Sequence, residues 1–328
     1  MKEKSRISIP LKYEGQVKSL CWVGDVLIDY VSGNVIIDLD GSISDPRVIF
    51  GYKFDSAIVT PDGEYSVIYE LHGTKGVLLN RGKEVRELNR SYYCADAYEF
   101  PICFVSISDG DYGIAYCPDK YNIVEIERAD DGERLTKQNR DEIDFFQSRL
   151  QVSPGQIWLL SAGWVWHPLD SVILYELSNG FADPKPLTSW NGGLGDFGIW
   201  EINNAAFIDD FKLLISGTGD DVNEDASDEK AVVVYDLREK RVVSRKSISE
   251  PTGHLMALSE DFAVTFYKTP KLLDLNTGET TFEWKDIPTD ERNSSIWSIE
   301  TFSAFAADVK NKRFAVATPN TIEVVTLS

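Results

Sequence analysis

Six carboxylates crowd between Asp220 and Glu229, inside the stretch GTGDDVNEDASDEK that runs from Gly217 to Lys230. Asp221, Asn223 and Asp225 stand two residues apart, the spacing at which a calcium loop presents its first three oxygen ligands. Such a loop also needs glycine at position six for the sharp turn and a bidentate glutamate at position twelve. Counted from Asp221, those places hold Ala226 and Val232. The turn and the strongest ligand are both lost, so no metal is expected here. The acids are left with two readings, a solvated turn or a docking surface for a basic partner.

Other residue types that could do chemistry lack the company they need. GTGDD has two glycines, but acids follow where a phosphate would sit, and no Lys-Ser/Thr pair closes the motif. NGGLGDFG is rich in glycine without a helix start behind it to supply a dipole, and reads as a loop. The three histidines are His72, His167 and His254. His72 falls in the tight turn LHGTKG and His254 at a strand start. His167 is set among tryptophans, but none of the three lies in a nucleophile setting. Cys21, Cys94, Cys103 and Cys117 form no CxxC pair, so free thiols in a reducing compartment are expected rather than zinc or a disulfide framework. No catalytic residue and no cofactor are assigned.

The elements that would carry such residues are legible as a repeat. TPDGEYSVIY (Thr60 to Tyr69) and ISDGDYGIAY (Ile107 to Tyr116) align without gaps. Each places Asp-Gly between apolar runs, a hairpin signal because glycine accepts the positive φ of the tight turn. Looser copies are WVGDVLIDY at Trp22, VSPGQIWLL at Val152, IDDFKLLIS at Ile208, LSEDFAVTF at Leu258 and VKNKRFAVA at Val309, seven in all. Their spacing, roughly 40 to 55 residues, is that of propeller blades. Behind each hairpin comes a short apolar strand and a polar turn: NVIIDLDG, GVLLNRGK, NIVEIERADDG, SVILYELSNG, AVVVYDLREK, KLLDLNTGE and TIEVVTLS, again seven and in phase. A fourth strand follows most of these, in EVRELN, ERLT, PLTSW, RVVSRKSI and TTFEWKD. The last unit ends with the chain, and RISIPL (Arg6 to Leu11) stands alone before the first. Pairing the two closes a ring and removes an exposed sheet edge. Helical periodicity is nearly absent; Arg140 to Leu150, RDEIDFFQSRL, is the best candidate for a helical turn. The expectation is an all-β, seven-bladed β-propeller of four-stranded antiparallel blades, a single domain over residues 1–328.

With TPDG at Thr60 and VSPG at Val152, the pattern resembles the WD40-like β-propellers, in the variant with a Ser/Thr-Pro-Asp-Gly turn. The resemblance spans essentially the whole chain and implies fold rather than function, since propellers host scaffolds, receptors and enzymes. The Gly-His and Trp-Asp dipeptides of true WD40 repeats do not recur. The buried hydrogen-bond network that goes with them is therefore not expected.

Turns inside a meander need only two to five residues, so longer connections have another purpose. Four long ones join successive blades: Asn89 to Pro101, Lys137 to Ser148, Asn191 to Asn203 and Ile287 to Phe302. The fifth is the acidic segment, within the fifth blade. The resemblance implies that all five emerge on one face. Trp164, Trp166 and His167 lie at a strand end on that face, and Trp190, Asp196, Phe197 and Trp200 lie in a neighbouring connection. These rings either cap the core or anchor a partner, tryptophan being favoured at binding hot spots.

A net charge of −20 and a pI near 4.6 repel nucleic acids and anionic membranes and attract basic surfaces. The N-terminus MKEKSRISIPLKYEG has no apolar segment of a signal peptide, and no run approaches a membrane span of about 18 residues. The expectation is a cytoplasmic, acidic, non-catalytic protein, monomeric by itself. It would bind a basic protein through Trp164, Trp166, His167, Trp190, Asp196, Phe197 and Trp200, with Asp220, Asp221, Asp225 and Asp228. A concrete version is an immunity protein that masks a cationic toxin domain. The alternatives are a metal-dependent hydrolase whose acids converge on the propeller axis, and a general interaction scaffold.

Overall fold

The computed structural model describes every residue except 12–16, 47, 49, 109, 138–139, 141, 167–168, 190–192, 220–228 and 297–302. Seven antiparallel sheets follow one another around a ring, and the fold is a seven-bladed β-propeller. The first blade comprises Cys21–Val23, Val26–Asp29, Val35–Ile37 and Ile43–Ser44; the second, Ser56–Val59, Tyr65–Tyr69, Lys75–Asn80 and Lys83–Asn89. The third has Ile102–Ser108, Asp111–Tyr116 and Glu125–Arg128; the fourth, Leu150–Val152, Trp158–Val165, Leu169–Glu176 and Pro186–Leu187. The fifth has Glu201–Phe207, Lys212–Thr218, Lys230–Asp236 and Arg241–Ile248; the sixth, Leu255–Ala257, Phe262–Thr265, Lys271–Asp274 and Thr280–Glu283. The seventh takes Phe305–Asp308, Arg313–Ala317 and Thr321–Leu327 from the C-terminal end, and Glu3–Pro10 as its outermost strand.

The closing strand pairs antiparallel with Thr321–Leu327, in register from Ser5 opposite Thr326 to Pro10 opposite Thr321. Polar contacts fix that register. Arg6 donates to Glu323 at 2.8 Å and to Asp286 at 2.7 Å, and the Ser8 hydroxyl meets the same Glu323 carboxylate at 2.7 Å. Ile9, fully buried, fills the gap between the seventh and first blades. Every other gap between neighbouring blades has its own apolar cluster, built by strands that are buried on both faces. That burial explains why the third strands read as continuous apolar runs instead of alternating.

The hairpins between first and second strands close by side-chain capping. The Thr60 hydroxyl accepts the Tyr65 amide at 3.0 Å and donates to Asp62 at 2.7 Å. Ser153 accepts the Trp158 amide at 3.2 Å, and Ser259 accepts that of Phe262 at 3.2 Å. Asp209 does the same for Lys212 at 2.8 Å. Gly63, at φ 74°, makes the turn that the Asp-Gly pair signals.

Two sequence expectations need correction, and one strand went unmarked. The third blade has three strands, not four: the ERLT segment joins it through a single bridge, Arg134 to Glu127. Its side chains form charged contacts there instead, with Arg134 3.3 Å from Glu127. The first blade does have a fourth strand, the two-residue Ile43–Ser44, too short to show a period. The segment 140–150 holds no helix among its described residues. Phe145 to Leu150 are all buried, and Phe146 bridges to Trp164 on the next blade. A residue buried on every side satisfies neither helical nor strand periodicity, and a connection sunk between blades has no solvent face to betray it.

Candidate protein-interaction face

In an antiparallel meander, the second strand ends where the first begins, and the fourth ends there too. The loops from second to third strand therefore share a face with the connections between blades. Four such segments converge over the third and fourth blades: residues 91–98, 117–124, 143–148 and 164–166. At their meeting point Phe146 and Trp164 stack with centroids 3.8 Å apart and planes 8° apart. Tyr98 closes on the Phe146 edge at 5.4 Å, and Tyr121 lies 4.4 Å from it. Above this base Tyr93 stacks on Phe146 at 5.8 Å and meets Trp166 edge-on at 6.3 Å. The exposed tips are Tyr92 (82%), Tyr93 (48%) and Trp166 (43%).

The connection that carries Tyr92 and Tyr93 is folded around Arg90. Its guanidinium is buried, without a carboxylate partner among the described residues, and spends its hydrogens on backbone carbonyls: Gly73 at 2.7 Å, Tyr98 at 2.9 Å, Glu99 at 3.2 Å and Ala95. It also lies 4.5 Å over the Tyr98 ring. Folding a loop around a buried cation satisfies carbonyls that no sheet reaches. Carboxylates border the aromatic tips. Asp144 accepts the Tyr121 hydroxyl at 2.6 Å, Glu142 is paired with Lys120, and Asp96 is exposed in the same connection as Tyr93.

The residues singled out from the sequence divide into three groups. Trp164 and Trp166 share this cluster, Trp164 as buried base and Trp166 as exposed tip. Phe197 and Asp196 lie elsewhere. The Gly195 amide donates to the Tyr235 hydroxyl at 2.9 Å, and the Phe197 ring is 4.7 Å from that of Tyr235. Tyr235 pairs with Val242 near the opposite end of the fifth blade. The segment is thus a strap in the gap between the fourth and fifth blades rather than wholly a rim loop, with Phe197 buried in that gap and Asp196 exposed beside it. The strap climbs to the loop-rich face only at Trp200, which is 53% exposed and stands beside Gly219. His167, Trp190, Asp220, Asp221, Asp225 and Asp228 lie outside the described residues. The last acid of that run, Glu229, is described: Arg245 is 3.3 Å away and the Ser247 hydroxyl also donates to it. Those two contacts, Ser247 first, hold its carboxyl below the usual range.

A second feature, which sequence reasoning missed, sits where connections reach the propeller axis. Glu99, buried, takes Arg149 at 2.8 and 3.1 Å through one oxygen, and Arg292 is 3.8 Å from that same atom. Arg149 also donates to the carbonyls of Asn203, Asn293 and Ser294, so it ties the third-to-fourth connection to the fifth blade and to the connection before the seventh. Burial alone would raise the Glu99 carboxyl, but Arg149 and then Arg292 outweigh it and set it at about 2. His254 nearby is pushed well below the ordinary imidazole value, by burial first and the two arginines next, so it is neutral. Among the described residues, no group of three or more His, Cys, Asp or Glu side chains could hold a metal ion. The four cysteines are free, Cys21 and Cys117 buried. No helix among the described residues is long and apolar enough to cross a membrane.

Sequence reading marked Trp164 and Trp166 of this cluster but missed Tyr92 and Tyr93, whose only signal is a Tyr-Tyr pair inside a connection already marked as too long. Nothing marked Glu99, Arg149 or Arg292, which are far apart in the chain and are brought together by ring closure.

No protein-family model matches the chain, and no curated protein matches it in sequence. Solved structures match its shape. A computationally designed protein, Ika8, aligns with a TM-score of 0.54 at 10% identity, over 98% of this chain and all of its own. Hydrazine synthase of Kuenenia stuttgartiensis aligns with a TM-score of 0.57 at 12% identity, over 98% of this chain and 97% of its own. At such identities the likeness is one of fold, and it agrees with the seven-bladed ring.

Proposed function

We propose that the chain is a non-catalytic binding protein whose loop-rich face docks a basic protein. The observation that carries this reading is the exposed pair Tyr93 and Trp166 on a stacked base, with Tyr92 exposed beside them. Aromatic tips held by a rigid foundation lose little conformational entropy on binding, and such residues dominate interface energetics. Asp96, Glu142 and Asp144 beside them, within a chain of net charge −20, favour a cationic partner by steering and by opposing its side chains. An immunity protein that masks a cationic toxin domain is the concrete form of this proposal. A WD40-like ancestry belongs to the same reading and is supported by the Thr60-Pro61-Asp62-Gly63 turn and its serine counterparts at Ser153 and Ser259.

The experiment is co-expression of the tagged chain with the products of neighbouring genes, followed by purification at rising salt. The reading predicts a basic protein retained at low ionic strength and progressively released as salt screens the pair. Retention of neutral or acidic products alone, or of none, would count against it.

A further inference from the structure

At the axial end of the loop-rich face lies a cavity of about 170 Å³, whose lining includes Asp55, Tyr69, Glu99, His254, Arg292 and, at the rim, Lys18. Most charges around it are already committed. Arg292 is 3.0 Å from Asp290 and 3.8 Å from Glu99, and every N–H-bearing nitrogen of Arg149 is engaged. What remains are acceptors. Glu99 meets its arginines through Oε1, and Oε2 has no hydrogen-bond partner among the described residues. Asp55 spends Oδ1 on the Leu71 amide at 2.8 Å, which leaves Oδ2. The Nε2 of the neutral His254 has no hydrogen-bond partner among the described residues, and the Tyr69 hydroxyl, which can accept or donate, also lines the cavity.

Acceptors that line a cavity without a protein donor favour a ligand that supplies hydrogens. The needed donor is compact, carries positive charge and offers about three hydrogens, which describes an ammonium group. A carboxylate ligand would face Asp55 and Glu99 with the nearby guanidiniums already engaged. The exposed Lys18 stands at the rim, and the acceptors lie deeper in the cavity.

We propose that this cavity binds a primary ammonium group, carried by a small free alkylamine or by a lysine side chain of a partner. The lysine source rests on the protein-binding reading above; the free-amine source does not. Binding is measured by calorimetry on the full chain alone, with n-propylamine, propan-1-ol and propionate as probes. Saturable binding of propylamine, with neither of the others, is expected. Asp55→Asn and Tyr69→Phe should each weaken it about tenfold, the worth of one charge-assisted hydrogen bond. Tyr69→Phe keeps the ring and so guards against loss of fold, which circular dichroism checks. Tighter binding of the peptide acetyl-Gly-Lys-Gly-amide than of propylamine, abolished by acetylation of the lysine, assigns the site to a partner; the reverse order assigns it to a free amine. Propylamine that binds no better than propanol, or equally well to both variants, overturns the proposal. No partner enters this measurement, so its failure leaves the docking of a basic protein standing, and failed docking leaves amine binding standing.

Discussion

At the scale of single residues, Trp164 and Trp166 do different work although they are two positions apart. Strand alternation would put both on one side, but the strand ends at Val165, and beyond that end Trp166 turns to the surface while Trp164 stays packed on Phe146. Trp164→Ala should therefore cost about 3–5 kcal/mol of stability in chemical denaturation, as for other buried aromatics. Trp166→Ala should leave the denaturation midpoint nearly unchanged. Asp170, at the start of the strand that follows, has its carboxyl raised to about 6, chiefly by burial, against hydrogen bonds from Ser294 and Asn203. Because its folded value lies above its unfolded one, its contribution is complete below about pH 4 and is lost as pH rises through 6. Glu99 has the opposite sign: its contribution holds above about pH 4.5 and is lost as pH falls towards 2. Asp170→Asn should gain on the wild type between pH 4 and 7, by about 3 kcal/mol at most. Parallel stability curves for the two proteins over that range would show that the group titrates normally.

At the scale of elements, the loop from Arg90 to Pro101 is a folded unit rather than a tether. Its centre is a guanidinium bonded to four carbonyls, Gly73, Ala95, Tyr98 and Glu99. Arg90→Leu removes those bonds and should lower stability by about 2–4 kcal/mol. It should also increase amide exchange in residues 91–98, with the blade strands unaffected; unchanged exchange would show that the ring contacts alone hold the loop. Hairpins and third strands were legible from sequence because turn chemistry and apolar runs are local. All seven hairpins lie where Asp-Gly and its looser copies mark them. The buried connection at 140–150, the strap at 193–200 and the bridge-only ERLT segment were not legible. Their conformations answer to neighbouring blades, and periodicity carries no record of a neighbour. The axial arginines were illegible for the same reason: Arg149 meets Asn293 and Ser294 across 144 and 145 positions of chain.

At the scale of the whole molecule, closure is what turns seven small sheets into one structure. Each blade buries its faces only against its neighbours, so an opened ring exposes two apolar faces at once. Ile9 on the closing strand is packed between the first and last blades. Ile9→Ala should lower stability by about 2–5 kcal/mol, though Ile9 belongs to the seventh blade and the aromatic tips lie over the third and fourth. The ring also sets the division of labour between faces: the end with hairpin turns is capped tightly by Thr60, Ser153, Asp209 and Ser259, and the other end has the long connections. Binding of a basic protein at that second end is the central claim. Its most direct measurement is the affinity of an identified basic partner for the wild type, for the Tyr93→Ala/Trp166→Ala double variant and for Val309→Ser, an exposed apolar residue at the hairpin end. The double variant should lose about 2 kcal/mol or more of binding free energy, roughly thirtyfold in Kd, and Val309→Ser should bind like the wild type. Equal affinity for the double variant and the wild type, or a loss confined to Val309→Ser, would contradict the account.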